Sequence, residues 1–107
     1  MKPILPSLRE KKRYISYEIV AEKPIKREVI IGSINQGLLR FLGELGSAKA
    51  GVMFIENKEN KGILKVNNTM VDQVKSGLIL IKDINNEKVI IKTTKVSGTL
   101  AKLRKGG

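Results

Sequence analysis

The chain has 107 residues and a net charge of +11, and it contains neither cysteine nor histidine. The length suits one domain around a single core, and the missing residue types exclude disulfides, cysteine-based metal sites and histidine as a general base. No apolar run is long enough to predict a membrane span or a signal peptide. Because cysteine is absent, we expect a protein of the reducing cytoplasm.

The first two elements are predicted from a change in the spacing of apolar residues. Residues 13–22 alternate between apolar and polar side chains, which is typical of a half-buried strand. Its buried face is predicted to carry Ile15, Tyr17, Ile19 and Ala21. From Ile25 or Lys26 to Leu45, apolar residues recur every three or four positions, which predicts an amphipathic helix with Gly46 as its C-cap.

Two strands and a second helix are predicted next. Residues 50–56 are apolar on both faces, which favours a strand that is covered on both sides. Residues 62–67 follow a polar turn and are predicted to form a short third strand. Asn68 or Thr69 is expected to cap the second helix. The apolar positions of this helix are Val71, Val74, Leu78 and Ile81. A strand over residues 78–84 is the alternative for the end of this segment.

The chain is predicted to end with a fourth strand over residues 88–96 and a short basic helix capped by Ser97 or Thr99. The order βαββαβ with a C-terminal helical stub is the signature of an α+β, ferredoxin-like or RRM-like sandwich. We therefore expect one domain over residues 1–107. It comprises a basic N-terminal arm over residues 1–12, a core over residues 13–96 and a basic tail over residues 97–107.

Positive charge is concentrated near the two ends of the chain. Residues 1–13 carry five basic side chains and one acidic one, and residues 88–107 carry six basic side chains and no acidic one. In this fold the first and fourth strands are antiparallel neighbours, so residues 9–13 and residues 95–105 are predicted to meet at one end of the sheet. Such a patch suits a polyanion, and the alternative is a pair of solvated tails.

The patch is expected to bind phosphates without reading a base sequence. Ser97, Gly98 and Thr99 offer backbone N–H groups and hydroxyls to an anion, and an ordinary helix cap is the alternative interpretation of this turn. Base stacking of the RRM type is not expected, because Tyr14 and Tyr17 fall on opposite faces and the third strand has no aromatic residue. The acidic residues are scattered along the chain, which argues against a catalytic site.

Four stretches carry a resemblance to a known family. They are "LPSLREKKRYISYEI", "LLRFLGELGSAKAG", "GILKVN" and "KVSGTLAKLR". Together they resemble the archaeal ribonuclease P protein component 2 family over residues 3–104. The resemblance implies a subunit of the ribonucleoprotein that removes the 5′ leader from precursor tRNA. In that enzyme the RNA is the catalyst and uses the Mg²⁺, and no catalytic residue or metal site is expected in this chain.

The resemblance also implies partners. They are the ribonuclease P RNA, precursor tRNA and protein component 3, a TIM-barrel-like subunit, with a homodimer of this chain inside a heterotetramer. Together with the charge pattern, the resemblance gives as RNA-binding candidates Arg9, Lys11, Lys12, Arg13, Lys92, Lys95, Ser97, Gly98, Thr99, Lys102, Arg104 and Lys105. The apolar second strand supplies the protein-interface candidates Val52, Met53, Phe54 and Ile55.

The alternative hypothesis is a ferredoxin-like regulatory or scaffold domain that binds a protein or a small acidic ligand.

Overall fold

The computed structural model describes residues 11–105, with side chains up to Leu103. Its strands, in chain order, are β1 (Lys12–Val20), β2 (Met53–Lys58), β3 (Lys61–Asn67), β4 (Asp83–Ile84), β5 (Glu87–Lys88) and β6 (Ile90–Ser97). Four of them form an antiparallel sheet in the order β2-β3-β1-β6, and β4 and β5 form a separate hairpin. The predicted arrangement of the four main strands is confirmed.

Three helices complete the described fold. They are α1 (Arg27–Ala50), α2 (Val71–Leu80) and α3 (Leu100–Lys105). The first two pack together and against one face of the sheet, while α3 lies against β1 and β6. This is the predicted α+β sandwich with a short helix after its last strand.

The core lies between the sheet and the first two helices. On β1, Ile15, Tyr17 and Ile19 are at most 2% exposed, which confirms the predicted buried face. They belong to one cluster with Ile34 of α1 and Leu78 of α2. Each apolar side chain of this size contributes roughly 1.5 to 3 kcal/mol when it is fully buried. The alternation along β1 therefore fixes which face of the sheet receives the helices.

The predicted end of the first helix is wrong. Helix α1 does not stop at Leu45 but continues to Ala50, and the residue with C-cap geometry is Gly51, at φ 56°, whose N–H donates to the Ser47 carbonyl at 3.1 Å. Within the helix, Gly43 has φ 76° and produces a kink. The helix resumes after this kink because Ala50 is fully buried, so its last turn contributes to the core.

The second strand also differs from its prediction. It begins at Met53, because Ala50 still belongs to α1, and it lies at the edge of the sheet rather than between two covering layers. Met53 is 53% exposed as a result. A run of apolar residues predicted burial here, but in this chain it occupies an edge strand.

Two smaller corrections concern the second helix. Asn68 and Thr69 do not cap it; they lie in a 3-10 turn, and α2 begins at Val71 without a side-chain cap. The alternative strand over residues 78–84 is wrong up to Leu80, which is helical. Beyond it, Asn85 and Asn86 have φ values of 53° and 69° and turn β4 into β5, as expected for the type I′ turn of a two-residue hairpin.

The second face of the sheet points away from α1 and α2, and we call it the open face. On the two central strands it carries Tyr14, Ser16 and Glu18 from β1, and Lys61, Ile63 and Lys65 from β3. Helix α3 covers part of this face. Leu103 and Ile63 are 7% and 8% exposed, and both line a cleft with Ser16 and Thr94. The C-terminal helix is therefore packed on the sheet rather than projecting from it.

Candidate nucleic-acid interface

The start of β1 lies beside the end of β6. The antiparallel register pairs Tyr14 with Ser97, so Arg13 is next to Gly98. A Cβ atom on Gly98 would lie 3.1 Å from Nη1 of Arg13, which means that the guanidinium rests against the glycine backbone. The predicted meeting of the two basic segments is confirmed for the described residues. Arg9 and the side chains of Arg104 and Lys105 lie outside the described part of the chain.

A buried amide fixes the position of the first residues of β1. Asn67 at the end of β3 is 6% exposed. Its Oδ1 accepts a hydrogen bond from the Lys12 ammonium, and its Nδ2 donates to the Lys49 carbonyl at the end of α1. The Asn68 N–H also donates to the Lys11 carbonyl at 2.7 Å. These hydrogen bonds connect β1, β3 and α1 at the end of the sheet that carries the basic residues. Sequence reasoning missed Asn67 because a single asparagine in a sequence does not indicate which groups it will bind.

The turn at residues 97–99 is a helix cap in this structure. The Thr99 N–H donates to Oγ of Ser97 at 3.2 Å, and the Lys102 N–H donates to Oγ1 of Thr99 at 3.4 Å. Thr99 is therefore the N-cap of α3, as predicted. Each hydroxyl accepts in these bonds and keeps its own hydrogen to donate, so the cap leaves two O–H donors in this turn.

A β-bulge separates the end of β6 from its middle. The register with β1 shifts between Ser16 and Tyr17, which leaves Thr94 as an extra residue on β6. Ser16 Oγ and Thr94 Oγ1 lie 2.6 Å apart, and Ser16 Oγ donates to the Lys95 carbonyl at 3.4 Å. A bulge strengthens the local twist and redirects the side chains around it, here including Lys95.

The basic residues fall at different distances from this end of the sheet. Lys95 pairs with Ser16 and Lys102 lies on α3, so both are close to it. Lys92 pairs with Glu18 farther along the sheet, and its RNA contact stays a prediction. Lys65, which sequence reasoning missed, pairs with Tyr14 and is half-buried at the same end. The strand register would have identified it. We call Lys11, Lys12, Arg13, Lys65, Lys95 and Lys102, with the turn 97–99, the basic end.

The two tyrosines of β1 have different roles. Tyr17 is 1% exposed on the helix-covered face, and its hydroxyl donates to Oδ1 of Asn57. Burial raises the pKa of Tyr17 to about 12, and the nearby Arg27 opposes this shift only in part. Tyr17 is thus a neutral core residue. Tyr14 lies on the open face and is half-buried, so the predicted separation of the two side chains is confirmed.

Exposed apolar side chains on β2 and at the far end of the sheet are candidates for protein contacts. Of the predicted protein-interface residues, Met53 is exposed, whereas Val52, Phe54 and Ile55 are half-buried. A second group lies at the end of the sheet opposite the basic end. It comprises Val20, Ile79, Leu80 and Ile90, each at least 45% exposed. Sequence reasoning missed this group because its members come from three elements that only the fold brings together.

The described residues form neither a cluster of metal-ligating side chains nor a membrane-spanning helix. Within residues 11–105, no three acidic side chains come close enough to hold a metal ion. No helix in the same range has the length and apolar character needed to cross a bilayer.

Comparison with known proteins confirms the resemblance seen in the sequence. The Rpp14/Pop5 family model matches residues 13–106. "Ribonuclease P protein component 2" of Pyrococcus furiosus is 40% identical over 97% of this chain and 88% of that protein. The protein of the same name from Thermococcus gammatolerans is 38% identical over 94% and 85%, and that from Methanocaldococcus jannaschii is 35% identical over 97% and 78%.

One solved structure shows the same fold. A chain in the cryo-EM structure of yeast ribonuclease MRP superposes with a TM-score of 0.70, covering 86% of this chain and 77% of that chain. Its sequence is 16% identical to this one. The predicted sandwich is therefore confirmed both by the architecture of this chain and by a distant neighbour.

Proposed function

This chain belongs to the Rpp14/Pop5 family, and we propose that it is a non-catalytic protein subunit of ribonuclease P. In this role it assists the RNA that removes the 5′ leader from precursor tRNA, and it is part of an enzyme only within that complex. The names of its archaeal relatives support the assignment. The observation that carries the mechanism is the basic end, where β1 and β6 bring together charges from opposite ends of the sequence.

The basic end acts by neutralising phosphates. RNA strands that crowd near a catalytic centre repel one another, and each protein cation placed between them replaces a bound counterion. With six basic side chains engaged, the log of the RNA affinity should fall with the log of the salt concentration with a slope of about −5. The Mg²⁺ that the RNA needs for folding and catalysis belongs to the RNA, and the protein lowers the concentration required.

Two cations of the basic end are held in place before any RNA binds. Arg13 is half-buried with its guanidinium against Gly98, and the Lys12 ammonium donates to the buried Asn67. A planar guanidinium matches two phosphate oxygens at once, whereas an ammonium acts as a point charge. Side chains ordered in advance lose less conformational entropy on binding. Arg13 is therefore the residue that we expect to contribute most to RNA affinity.

We also propose protein partners: a component 3 subunit, and a second copy of this chain within a cytoplasmic heterotetramer. The predicted surface is β2, where Met53 is exposed, and the exposed group around Ile79 is the competing surface. Met53→Glu and Ile79→Glu variants distinguish them in a co-purification assay with component 3. Loss of the partner with Met53→Glu alone supports the predicted surface, and loss with Ile79→Glu alone contradicts it.

The function is tested by cleavage of precursor tRNA. An archaeal ribonuclease P RNA with component 3 is assayed at limiting Mg²⁺, with and without this chain. We expect the rate to rise only when the chain is present, and the stimulation to fall when Arg13, Lys95 and Lys102 are all changed to Gln. The matched control changes Lys23, Lys26 and Lys88 to Gln; these residues are exposed and lie toward the other end of the sheet.

The outcome that contradicts the proposal is equally clear. If a folded chain with competent RNA and component 3 leaves the rate unchanged, the subunit role is wrong. Failure of the same protein to bind a polyanion column would then favour a scaffold domain that binds another protein.

A further inference from the structure

The centre of the open face lacks the surface on which single-stranded RNA stacks. An RRM places aromatic side chains on its two central strands and stacks bases on them. Here the open-face positions of β3 are Lys61, Ile63 and Lys65, none of them aromatic. On β1 the open face has one aromatic residue, Tyr14, at its end. A single partly buried ring does not form a stacking platform.

Helix α3 covers the middle of the open face. Leu103 is 7% exposed and lines the same cleft as Ile63 and Ser16. The Thr99 cap fixes the start of this helix directly after β6. The middle of the open face is thus occupied by the protein's own apolar side chains, and a base would have to displace Leu103 to reach the sheet.

The charges on the open face confine a polyanion to the basic end. Glu18 lies in the row beyond Ser16, forms an ion pair with Lys61 at 3.7 Å and pairs across the strands with Lys92. Its carboxylate offsets part of the positive charge of this row and repels phosphates from that part of the sheet. In the rows nearer the start of β1, the residues paired with Lys12, Lys65 and Lys95 are uncharged, and Glu56 of β2 is paired with Ile63, one row beyond Lys65. On the described open face, the lysines nearest the start of β1 therefore lie farthest from the Glu18 carboxylate.

We propose that the basic end binds the phosphate backbone of double-stranded RNA and that this chain does not select single strands. This proposal rests on the proposed function and specifies that the basic end binds duplex RNA. When binding depends on phosphates alone, the affinity increases with the charge density of the nucleic acid. A duplex therefore binds more tightly, because it releases more counterions per contact than a single strand. The described open face offers no stacking platform to offset the flexibility of a single strand. The recognition is independent of base sequence.

The test measures the affinity of the full chain for two RNA probes by fluorescence anisotropy. The probes are a short RNA duplex and an oligouridine strand of the same length, compared at about 0.1 M salt. With six contacts, the difference in counterion release gives roughly tenfold tighter binding of the duplex. A second duplex of unrelated sequence is expected to bind equally well.

A Tyr14→Leu variant makes the test sharper because it removes the one open-face aromatic residue of β1 while keeping an apolar side chain. We expect this substitution to change the affinity for either probe by less than about twofold. Loss of a stacked base would instead weaken single-strand binding by about fivefold or more. Such a loss, or single-strand affinity equal to or above that of the duplex, overturns the inference and leaves the subunit role intact. If the wild-type chain binds neither probe, the RNA-binding role itself is wrong.

Discussion

Two glycines in this protein each lie opposite a long side chain of β1, at two positions along the same strand. Gly62 of β3 is paired with Tyr17, and Gly98 lies beside Arg13 at the end of β6. A Cβ atom at Gly62 would collide with the Tyr17 hydroxyl and would lie 2.6 Å from the Glu56 carbonyl oxygen. A Cβ atom at Gly98 would meet only the guanidinium end of the Arg13 side chain, with Nη1 at 3.1 Å.

The two glycines have different roles: Gly62 is required for stability, and Gly98 positions a charge for the proposed RNA binding. At Gly62 the ring is buried and one obstacle is backbone, which cannot move aside, so the missing side chain is a requirement of the core. At Gly98 the opposing group is a half-buried guanidinium and no backbone atom, so the missing side chain decides where a charge lies. The same local arrangement thus supports folding at one position and the proposed RNA contact at the other.

The largest expected effect is on stability at Gly62. Gly62→Ala forces the Tyr17 ring and the neighbouring strand apart, and we expect it to lower the free energy of unfolding by about 2 to 3 kcal/mol. Urea denaturation followed by circular dichroism measures it. A loss below about 0.5 kcal/mol would show that the sheet adapts and that the contrast with Gly98 is wrong.

The next effect is a loss of stability at high pH caused by Tyr17. Burial raises the pKa of Tyr17 to about 12, so the unfolded chain ionises first, near pH 10, and stability falls as the pH rises from about 10 to 12. The expected loss is about 1.4 kcal/mol at pH 11. Tyr17→Phe, which has no ionisable group, should lose less stability over this range. Equal losses in both proteins would contradict the buried, neutral state of this residue.

Removing the charge at Arg13 should affect binding rather than folding. Arg13→Gln is expected to weaken duplex RNA binding roughly tenfold at about 0.1 M salt and to reduce the salt slope by about one. The free energy of unfolding should change by less than about 0.5 kcal/mol, as for a surface substitution. Anisotropy titrations and urea denaturation of the same preparation measure both. A large loss of stability with unchanged RNA affinity would assign Arg13 to the fold instead.

The smallest effect is expected at Gly98 itself. Gly98→Ala displaces the guanidinium by a few tenths of an ångström, which should weaken RNA binding by about two- to threefold. Stability should stay within about 0.5 kcal/mol of the wild type. If Gly98→Ala destabilised the protein as strongly as Gly62→Ala, the two glycines would have the same structural role.

The fold and the meeting of the basic segments could be predicted because they depend on short-range patterns. Alternation along residues 13–22 fixes the buried face of β1, and the order of elements fixes its neighbours. The contact between Arg13 and the turn at Gly98 follows from that topology.

The remaining features depend on tertiary contacts. The sequence predicts Gly46 as the end of the first helix, but α1 has a kink at Gly43 and continues to Ala50, which is fully buried. Asn67 binds groups on two other elements, and Lys65 reaches the basic end through its pairing with Tyr14. The apolar run around Met53 indicated burial, but the sheet places it on an edge.

The central claim is that the basic end binds RNA by neutralising phosphates. The most direct test is the salt dependence of duplex affinity in the wild type, in the triple variant of Arg13, Lys95 and Lys102 to Gln, and in the control triple variant of Lys23, Lys26 and Lys88 to Gln. We predict that the first triple variant reduces the slope by about 2.7 while the control leaves it unchanged. Equal changes in both variants would mean that only net charge matters, and no change in either would mean that RNA binds elsewhere.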